Sequence, residues 1–276
     1  MPGDFDDWIG RTETAEDTIT PRQTRQMAAT LDAAAPDGLL PPLWHWMGWQ
    51  PETTMAGLGP DGHPARGGFL PPVPLERRMW AGGRLRFHAA LTVGAPMRRQ
   101  SQILKVSEKT GTTGRMVFVT VGHSVEGPQG LAVTEEQDIV YVAMPERFSP
   151  PPPQIAPDGA VWGEDVAMDT VRLFRFSALT FNAHRIHFDL PYAQSVEKYP
   201  GLVVHGPMQA MLLMAAAIRH RGGAMPATFR FRGVRPLFHT DTVTLTVWPE
   251  ADGSQALAVV TGEGVMTMQA DIGWTA

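Results

Sequence analysis

The densest group of polar side chains in this chain lies between Asn182 and Asp189, and a His205-Gly206 pair follows closely. An imidazole titrates near neutral pH and can act as a general acid or base. Gly206 precedes Pro207, a residue that favours a helix start, where unpaired backbone N–H groups can hold an oxyanion. These residues predict proton transfer beside a site that stabilises an enolate formed at a thioester.

Other chemistries fit the same residues less well. A metal site on His184, His187, Asp189 and His205 has suitable ligand types, but the H-E-x-x-H spacing of zinc hydrolases is missing. The chain has neither a G-x-S-x-G nucleophile motif nor a phosphate-binding glycine loop. We therefore expect acid–base catalysis without a metal.

Composition excludes several classes of protein. The absence of cysteine rules out disulfides, thiolate metal sites and a cysteine nucleophile, and it fits a reducing cytoplasm. A formal net charge of −5 lacks the basic excess of a nucleic-acid binder. The N-terminal segment is acidic and no uninterrupted apolar span follows, so we expect a cytoplasmic protein without a signal peptide or membrane segment.

The first half predicts a helix followed by a sheet. A capping box from Thr20 to Gln23 starts a helix that runs to about Leu31. Residues 36–83 are rich in turn formers and aromatic residues and are expected to be irregular. From Arg84 onwards, four alternating segments are separated by glycine turns, one of them at Gly111 to Gly114, which predicts an antiparallel meander.

The second half predicts the same order after a proline run at 150–153. A strand is expected near 171–177 and a short helix at 192–198. The segment that begins at Gly206 is apolar on nearly all faces, which is typical of a buried helix. Alternating segments between 227 and 274 predict the final strands.

Longer motifs resemble a known family. The segment FSALTFNAHRIHFD, followed by YPGLVVHGPM, resembles the hydratase-2 motif of the MaoC-like hot-dog enoyl-CoA hydratases and dehydratases. In the first half, PPLWHW, GPDGHPARGGFLPPVPLERRMWAGGRLRFH and TEEQDIVY are similar to the double hot-dog branch. That branch includes mesaconyl-C4-CoA and itaconyl-CoA hydratases and type 2 hydroxyacyl-thioester dehydratases.

This resemblance implies an α+β double hot-dog, with a helix wrapped by a curled antiparallel sheet in each of two units. The first unit would span residues 1–148 and cover the site with its loop. A proline-rich linker would follow at 149–160, and residues 161–276 would form the unit that carries the hydratase motif.

The resemblance also implies roles for individual residues. His187 would handle the proton, and Gly206 would donate its N–H to the thioester oxygen. The wider family has an aspartate five positions before this histidine, whereas this chain has Asn182. Because an amide cannot take up a proton, we expect Asn182 to orient the attacking water. His205 has two open interpretations, packing and substrate contact.

The expected reaction is reversible hydration of an unsaturated acyl-CoA, with a C5 dicarboxyl-CoA such as mesaconyl-C4-CoA or itaconyl-CoA giving citramalyl-CoA. Arginine is the natural partner of a second carboxylate, and Arg185 and Arg78 are the candidates. Surface charge or a CoA-phosphate contact is an alternative for Arg78. The alternative functions are a 3-hydroxyacyl-thioester dehydratase, a non-catalytic acyl-thioester binding module and a thioesterase. We expect no cofactor, and either a monomer or a homodimer.

Overall fold

The computed structural model describes residues 5–111 and 114–275. The strands are β1 (Thr12–Asp17), β2 (Arg77–Phe87), β3 (Met97–Gly111), β4 (Gly114–Gly127), β5 (Gly130–Val142), β6 (Trp162–Ala167), β7 (Pro226–Gly233), β8 (Thr242–Ala251), β9 (Ser254–Thr261) and β10 (Met266–Trp274). The α-helices are α1 (Pro21–Leu31), α2 (Thr170–Leu179), α3 (Leu190–Ser195) and α4 (Gly206–His220). No helix among these residues is long and apolar enough to cross a membrane.

All ten strands form one antiparallel sheet in the order β1-β3-β4-β5-β2-β7-β10-β9-β8-β6. From the edge to the centre of the sheet, the first half contributes β1, β3, β4, β5 and β2, and the second half contributes β6, β8, β9, β10 and β7. In both halves this is the first, third, fourth, fifth and second strand of that half along the chain. The two halves therefore share one topology and meet at β2 and β7. The α+β class is as predicted. The unit boundaries at 148 and 160 stay a prediction, because the sheet continues without a break between the halves.

Gly82 lies where the two halves join. It pairs with Arg232 across β2 and β7, and a Cβ atom at this position would lie 2.5 Å from the carbonyl oxygen of Phe231. A side chain there would separate the strands. The β2–β5 register shifts between Trp80 and Gly82, and this bulge sets the position of the β2 residues that precede it.

Helix α4 lies inside the curl of the sheet and packs on β7 to β10 and on β2. Its buried residues are Met208, Gln209, Ala210, Met211, Leu212, Leu213, Met214, Ala216 and Ala217. A helix that is apolar all round needs to be covered on all sides, and the curled sheet provides that cover. The start of α4 at Gly206 agrees with the prediction.

The first half differs from the second in one respect. Between α1 and β2 the described chain has short 3-10 turns at Trp44–Met47 and Met55–Gly57 instead of a second long helix. Side chains of the long loop, including Val73 and Leu75, pack into the first half's sheet in its place. Helix α1 packs on α2, its counterpart in the other half.

The strand predicted near 171–177 is wrong, because this segment is helix α2. Its alternation of aromatic, apolar and arginine residues suggested a strand, but Asp169 caps the segment by accepting the N–H of Arg172 at 2.8 Å. The buried Leu173 and Phe176 follow helical spacing. Strands β1 and β6 were not predicted. The predicted glycine turn of the first meander includes residues 112–113, which lie outside the described residues.

Candidate active site

His187 lies at the end of a 3-10 turn, Arg185–His187, and is 7% exposed. Its Nδ1–H donates to the carbonyl oxygen of Val203 at 2.7 Å. The tautomer is thereby set, because a carbonyl oxygen only accepts, and Nε2 keeps its lone pair. Within the described residues no protein group hydrogen-bonds Nε2, so this nitrogen is available as a base.

The imidazole ring of His187 is stacked on that of His205. The ring of His205 is parallel to that of His187 to within 20°, with 3.6 Å between centroids. Burial lowers the pKa of His187 well below its usual range, and the adjacent His205 and His184 lower it further. Burial and His184 also lower the pKa of His205, to about 3. The stacked pair is therefore neutral at neutral pH.

The start of α4 presents free hydrogen-bond donors. The first N–H bonded within the helix is that of Gln209, which donates to the carbonyl of His205 at 3.2 Å. The N–H groups of Gly206 and Met208 have no partner in the described chain, and Pro207 has none to offer. A Cβ atom on Gly206 would meet only the carbonyl oxygen of Trp80, at 3.9 Å. Protein packing therefore leaves this position open for a ligand oxygen.

Asn182 shapes the loop that carries His187. Its Oδ1 accepts the backbone N–H of His184 at 2.9 Å, an Asx turn. Its backbone N–H in turn donates to the carbonyl of Ser177 in α2 at 2.9 Å. An ordering role in the loop follows from these bonds, while a contact with the attacking water stays a prediction.

His184 connects the two halves of the chain. Its Nε2–H donates to Oε1 of the buried Glu197 at 3.2 Å, and Oε2 of the same carboxylate accepts Nε–H of Arg77 in β2 at 3.2 Å. Arg77 also donates to the hydroxyl of Tyr199. Glu197 is 3% exposed, and two donors compensate its charge. These bonds connect the segment from Asn182 to Asp189 to the first half of the chain.

Residues 57–66, the covering loop, lie against this same segment. The backbone N–H of Arg185 donates to the carbonyl of Asp61 at 2.9 Å. Gly62 has a φ of +88°, and a Cβ atom there would be 1.9 Å from the carbonyl oxygen of Ala183. Only glycine permits this approach. The ring of His63 lies 4.1 Å from that of His184.

The helix start can hold the oxygen of a carbonyl group through its unpaired N–H groups, and the neutral imidazole can then transfer a proton to or from the carbon next to that carbonyl.

Comparisons with known proteins bear on this chemistry. The family profile of hydroxyacyl-thioester dehydratase type 2 matches residues 43–239, which include β2, the covering loop, His187 and α4. The chain belongs to this family.

Sequence relatives support the assignment. The chain is 47% identical to the mesaconyl-C(4)-CoA hydratase of Chloroflexus aurantiacus over 253 residues, 89% of each protein. It is 26% identical to the mitochondrial type 2 hydroxyacyl-thioester dehydratase of Schizosaccharomyces pombe, over 72% of this chain and 74% of that protein.

Solved structures confirm the double hot-dog fold of this family member. A MaoC-like dehydratase from Phytophthora capsici aligns with a TM-score of 0.71 at 15% identity, over 96% of this chain and 95% of that one. A Mycobacterium tuberculosis protein described as a double hot-dog aligns with a TM-score of 0.65 at 13% identity, over 98% and 97%.

The structure brings four of the predicted site residues together: His187, Asn182, His205 and Gly206. His205 is 1% exposed, and a hydrogen bond of 2.9 Å joins its Nε2 to the Ser177 hydroxyl. Its burial favours packing over substrate contact. The catalytic assignments themselves stay predictions of the dehydratase-family resemblance.

Arg185 has its donors engaged by the protein. Nε and Nη2 donate to Oδ2 of Asp189 at 2.9 and 2.7 Å, and Nη1 donates to the carbonyl of Pro60 at 3.0 Å. The guanidinium also lies 4.0 Å above the Tyr192 ring. These contacts fasten the covering loop, so a substrate contact for Arg185 stays a prediction that the geometry does not favour.

Arg78 is placed differently. It is partly buried in β2, opposite Tyr141 of β5, and its charge helps to lower the pKa of His63. In the described part of the chain no carboxylate forms an ion pair with it. Arg78 is therefore a guanidinium close to His63 with no carboxylate partner among the described residues.

Sequence reasoning missed three residues of this site: Asp61, His63 and Glu197. The GPDGHP motif that contains the first two was noted only for its resemblance. An aspartate two positions before a histidine was the available signal, because this spacing lets the carboxylate bind the ring. No comparable local signal marks Glu197, whose partners come from distant segments.

A cleft of about 620 Å³ opens on the exposed face of the sheet, along β2 and β7. Charged side chains such as Arg84, Arg230 and Asp271 line it, but His187 does not. The cleft lies on the opposite face of the sheet from α4, so it is separate from the candidate active site.

Proposed function

We propose that this chain reversibly adds water to the double bond of an unsaturated acyl-CoA, with a C5 dicarboxyl-CoA as substrate. Mesaconyl-C4-CoA and itaconyl-CoA are the candidates, and citramalyl-CoA is the product. The observation that carries the proposal is the free Nε2 of His187 beside the unpaired N–H groups at the start of α4. The 47% identical mesaconyl-C(4)-CoA hydratase supports the substrate class.

Each group has a defined task in hydration. The N–H of Gly206, with that of Met208, holds the thioester oxygen and stabilises the negative charge that develops there. In mesaconyl-C4-CoA, whose double bond joins the α- and β-carbons, His187 Nε2 takes a proton from water as the water oxygen bonds to the β-carbon, and it then delivers that proton to the α-carbon. In itaconyl-CoA the double bond joins the β-carbon to a terminal CH2 group, and the proton goes to that group instead. His187 is thus returned to its neutral form, and we propose that neither a metal nor an organic cofactor takes part.

The second carboxylate of the substrate needs a cation, and we propose Arg78. A guanidinium without a protein carboxylate can bind one from the substrate in a bidentate manner. Arg78→Met should raise KM for mesaconyl-C4-CoA and leave KM for crotonyl-CoA, which has no second carboxylate, nearly unchanged. Arg86→Met is the matched control, because Arg86 is an exposed residue of the same strand.

A hydration assay with mesaconyl-C4-CoA, itaconyl-CoA and crotonyl-CoA tests the proposal. We expect the two dicarboxyl substrates to have the higher kcat/KM. Faster turnover of crotonyl-CoA would instead favour the second candidate, dehydration of 3-hydroxyacyl thioesters, which the family profile and the yeast relative support.

The non-catalytic alternative is tested with His187→Ala. Loss of the proton-transfer group should lower kcat by about 100-fold or more. Activity near that of the wild type would show that His187 is not the base. Release of free CoA from these substrates would indicate a thioesterase. The cytoplasmic location and the monomer or homodimer state stay predictions.

A further inference from the structure

We infer that His63, held by Asp61, is a catalytic residue that hydrogen-bonds the nucleophilic water while His187 takes a proton from it. This inference rests on the proposed hydration. It gives the covering loop of the first half a direct part in the reaction.

Asp61 clamps His63 at two points. Oδ1 of Asp61 accepts the backbone N–H of His63 at 3.1 Å, and Oδ2 accepts the ring Nδ1–H at 3.0 Å. Burial raises the pKa of Asp61, but the bonds and charge of His63 outweigh it and lower the pKa to about 2. An ionised carboxylate only accepts, so Nδ1 carries a ring proton. Because burial lowers the pKa of His63 to about 4, the ring is neutral at neutral pH and Nε2 presents a lone pair. No other group of the described chain bonds Nε2.

The loop places the His63 ring against His184, the residue whose ring contacts His187. The His63 ring is 4.1 Å from that of His184, which meets the His187 ring edge-on at 5.5 Å. His63 is also near enough to contribute to the lowered pKa of His187. The Arg185–Asp61 backbone bond, at 2.9 Å, holds the loop here. Each half of the chain thus contributes one imidazole with a free Nε2.

A nucleophilic water has two hydrogens, and both need acceptors if the oxygen is to point at the β-carbon. Asn182 was the residue expected to orient this water, but its Oδ1 already accepts the His184 N–H. His63 Nε2 supplies the second acceptor.

The addition of water to the double bond needs no reactant other than the water itself. The oxygen bonds to the β-carbon, and the π pair of the double bond moves through the thioester to its oxygen. One water proton goes to His187 Nε2 and then to the α-carbon as the enolate collapses. The other hydrogen stays on the new hydroxyl, which remains hydrogen-bonded to His63.

A divalent cation is the rival occupant. Ligand atoms of Asp61, His63 and His184 lie within 4.8 Å of one another. The Asp61–His63 and His184–Glu197 hydrogen bonds already engage these residues. Arg78 adds positive charge beside His63, which disfavours a cation. The geometry therefore favours water.

The test measures two rates in the full-length protein. The first is hydration of mesaconyl-C4-CoA. The second is exchange of the α-hydrogen of citramalyl-CoA with D₂O, which needs the α-carbon base but no C–O cleavage. His63→Leu should lose about 100-fold in hydration, as for a misplaced nucleophile, and keep the exchange. His63→Gln, whose Oε1 can accept from water, should recover part of the hydration rate. His187→Ala should lose both rates, and His88→Leu, at an exposed histidine of the same half, should lose neither.

Several results would overturn the inference. These are hydration by His63→Leu close to the wild-type rate, parallel loss of both rates in both His63 variants, and loss of activity on EDTA treatment with recovery on adding Zn²⁺ or Mn²⁺. Absence of both rates in the wild-type protein would refute the proposed function itself, so the two failures are distinguishable.

Discussion

The imidazole rings of His187 and His205 are stacked with 3.6 Å between their centroids. Two imidazolium cations at this distance repel each other strongly, and burial removes the water that would stabilise even one of them. The stack therefore keeps His187 in the neutral form that a general base requires.

This arrangement predicts the pH dependence of the reaction. Because burial and His205 lower the pKa of His187, kcat/KM should stay level as the pH falls from about 8 to about 5.5. A base with an ordinary histidine pKa would retain only about a tenth of its plateau rate at about pH 5.5. Hydration rates across this range check the prediction, and a half-maximal rate near pH 6.5 would contradict it.

Buried neutral histidines also predict the pH dependence of stability. Burial lowers the pKa of His205 to about 3 and that of His123 to about 4, so below about pH 6.5 the unfolded chain binds more protons than the folded one. The stability present above pH 6.5 is lost as the pH falls towards these values. At about pH 5 each histidine should cost about 2 kcal/mol of the free energy of unfolding. Urea unfolding at about pH 7 and 5 measures the loss, with pH 8 as the control that should match pH 7.

Gly206→Ala should strongly reduce activity without unfolding the protein. The new methyl group would meet only Trp80 O, at 3.9 Å, so the fold tolerates it, but it would occupy the space of the thioester oxygen. We expect kcat to fall by about 100-fold, as for the loss of an oxyanion donor. Gly233→Ala is the matched control, because its methyl group would lie 3.7 Å from Ala81 O and away from the helix start. Equal activity in the two variants would contradict the role of Gly206.

Gly62→Ala should displace the covering loop. Its Cβ atom would clash with Ala183 O at 1.9 Å, whereas Gly67, with a similar φ of +87°, would bring its Cβ only to 3.6 Å from Pro72. Both alanine variants carry the backbone strain of about 1 kcal/mol, and only Gly62→Ala adds the clash. We expect activity to fall at least about tenfold in Gly62→Ala alone, with faster proteolysis of the loop. Matching losses in both variants would show that strain alone is responsible.

Local signals in the sequence predicted the elements that depend on residues close together in the chain. The capping box at Thr20 and Gln23 is present, and α4 begins at Gly206. The predicted meander is confirmed for β3, β4 and β5, which pair in chain order, but not for β2, which pairs with β5 and β7 instead of β3. Capping and alternation operate over a few positions, so they are readable without knowledge of the fold. Alternation failed for α2, where the cap at Asp169 and burial against α1 decided in favour of a helix.

The linear sequence thus established the fold class, the family resemblance and the cluster around His187. The folded chain alone showed that Asp61 and His63 lie over that cluster, that Arg185 binds Asp189 and the loop, and that no carboxylate of residues 5–111 and 114–275 pairs with Arg78. The position of Asp61 and His63 and the bond from Arg185 to the loop depend on contacts between the two halves, made where β2 pairs with β7 and the covering loop reaches Ala183. No spacing in the sequence encodes such contacts, because they arise only when the sheet closes around α4 and brings distant segments together.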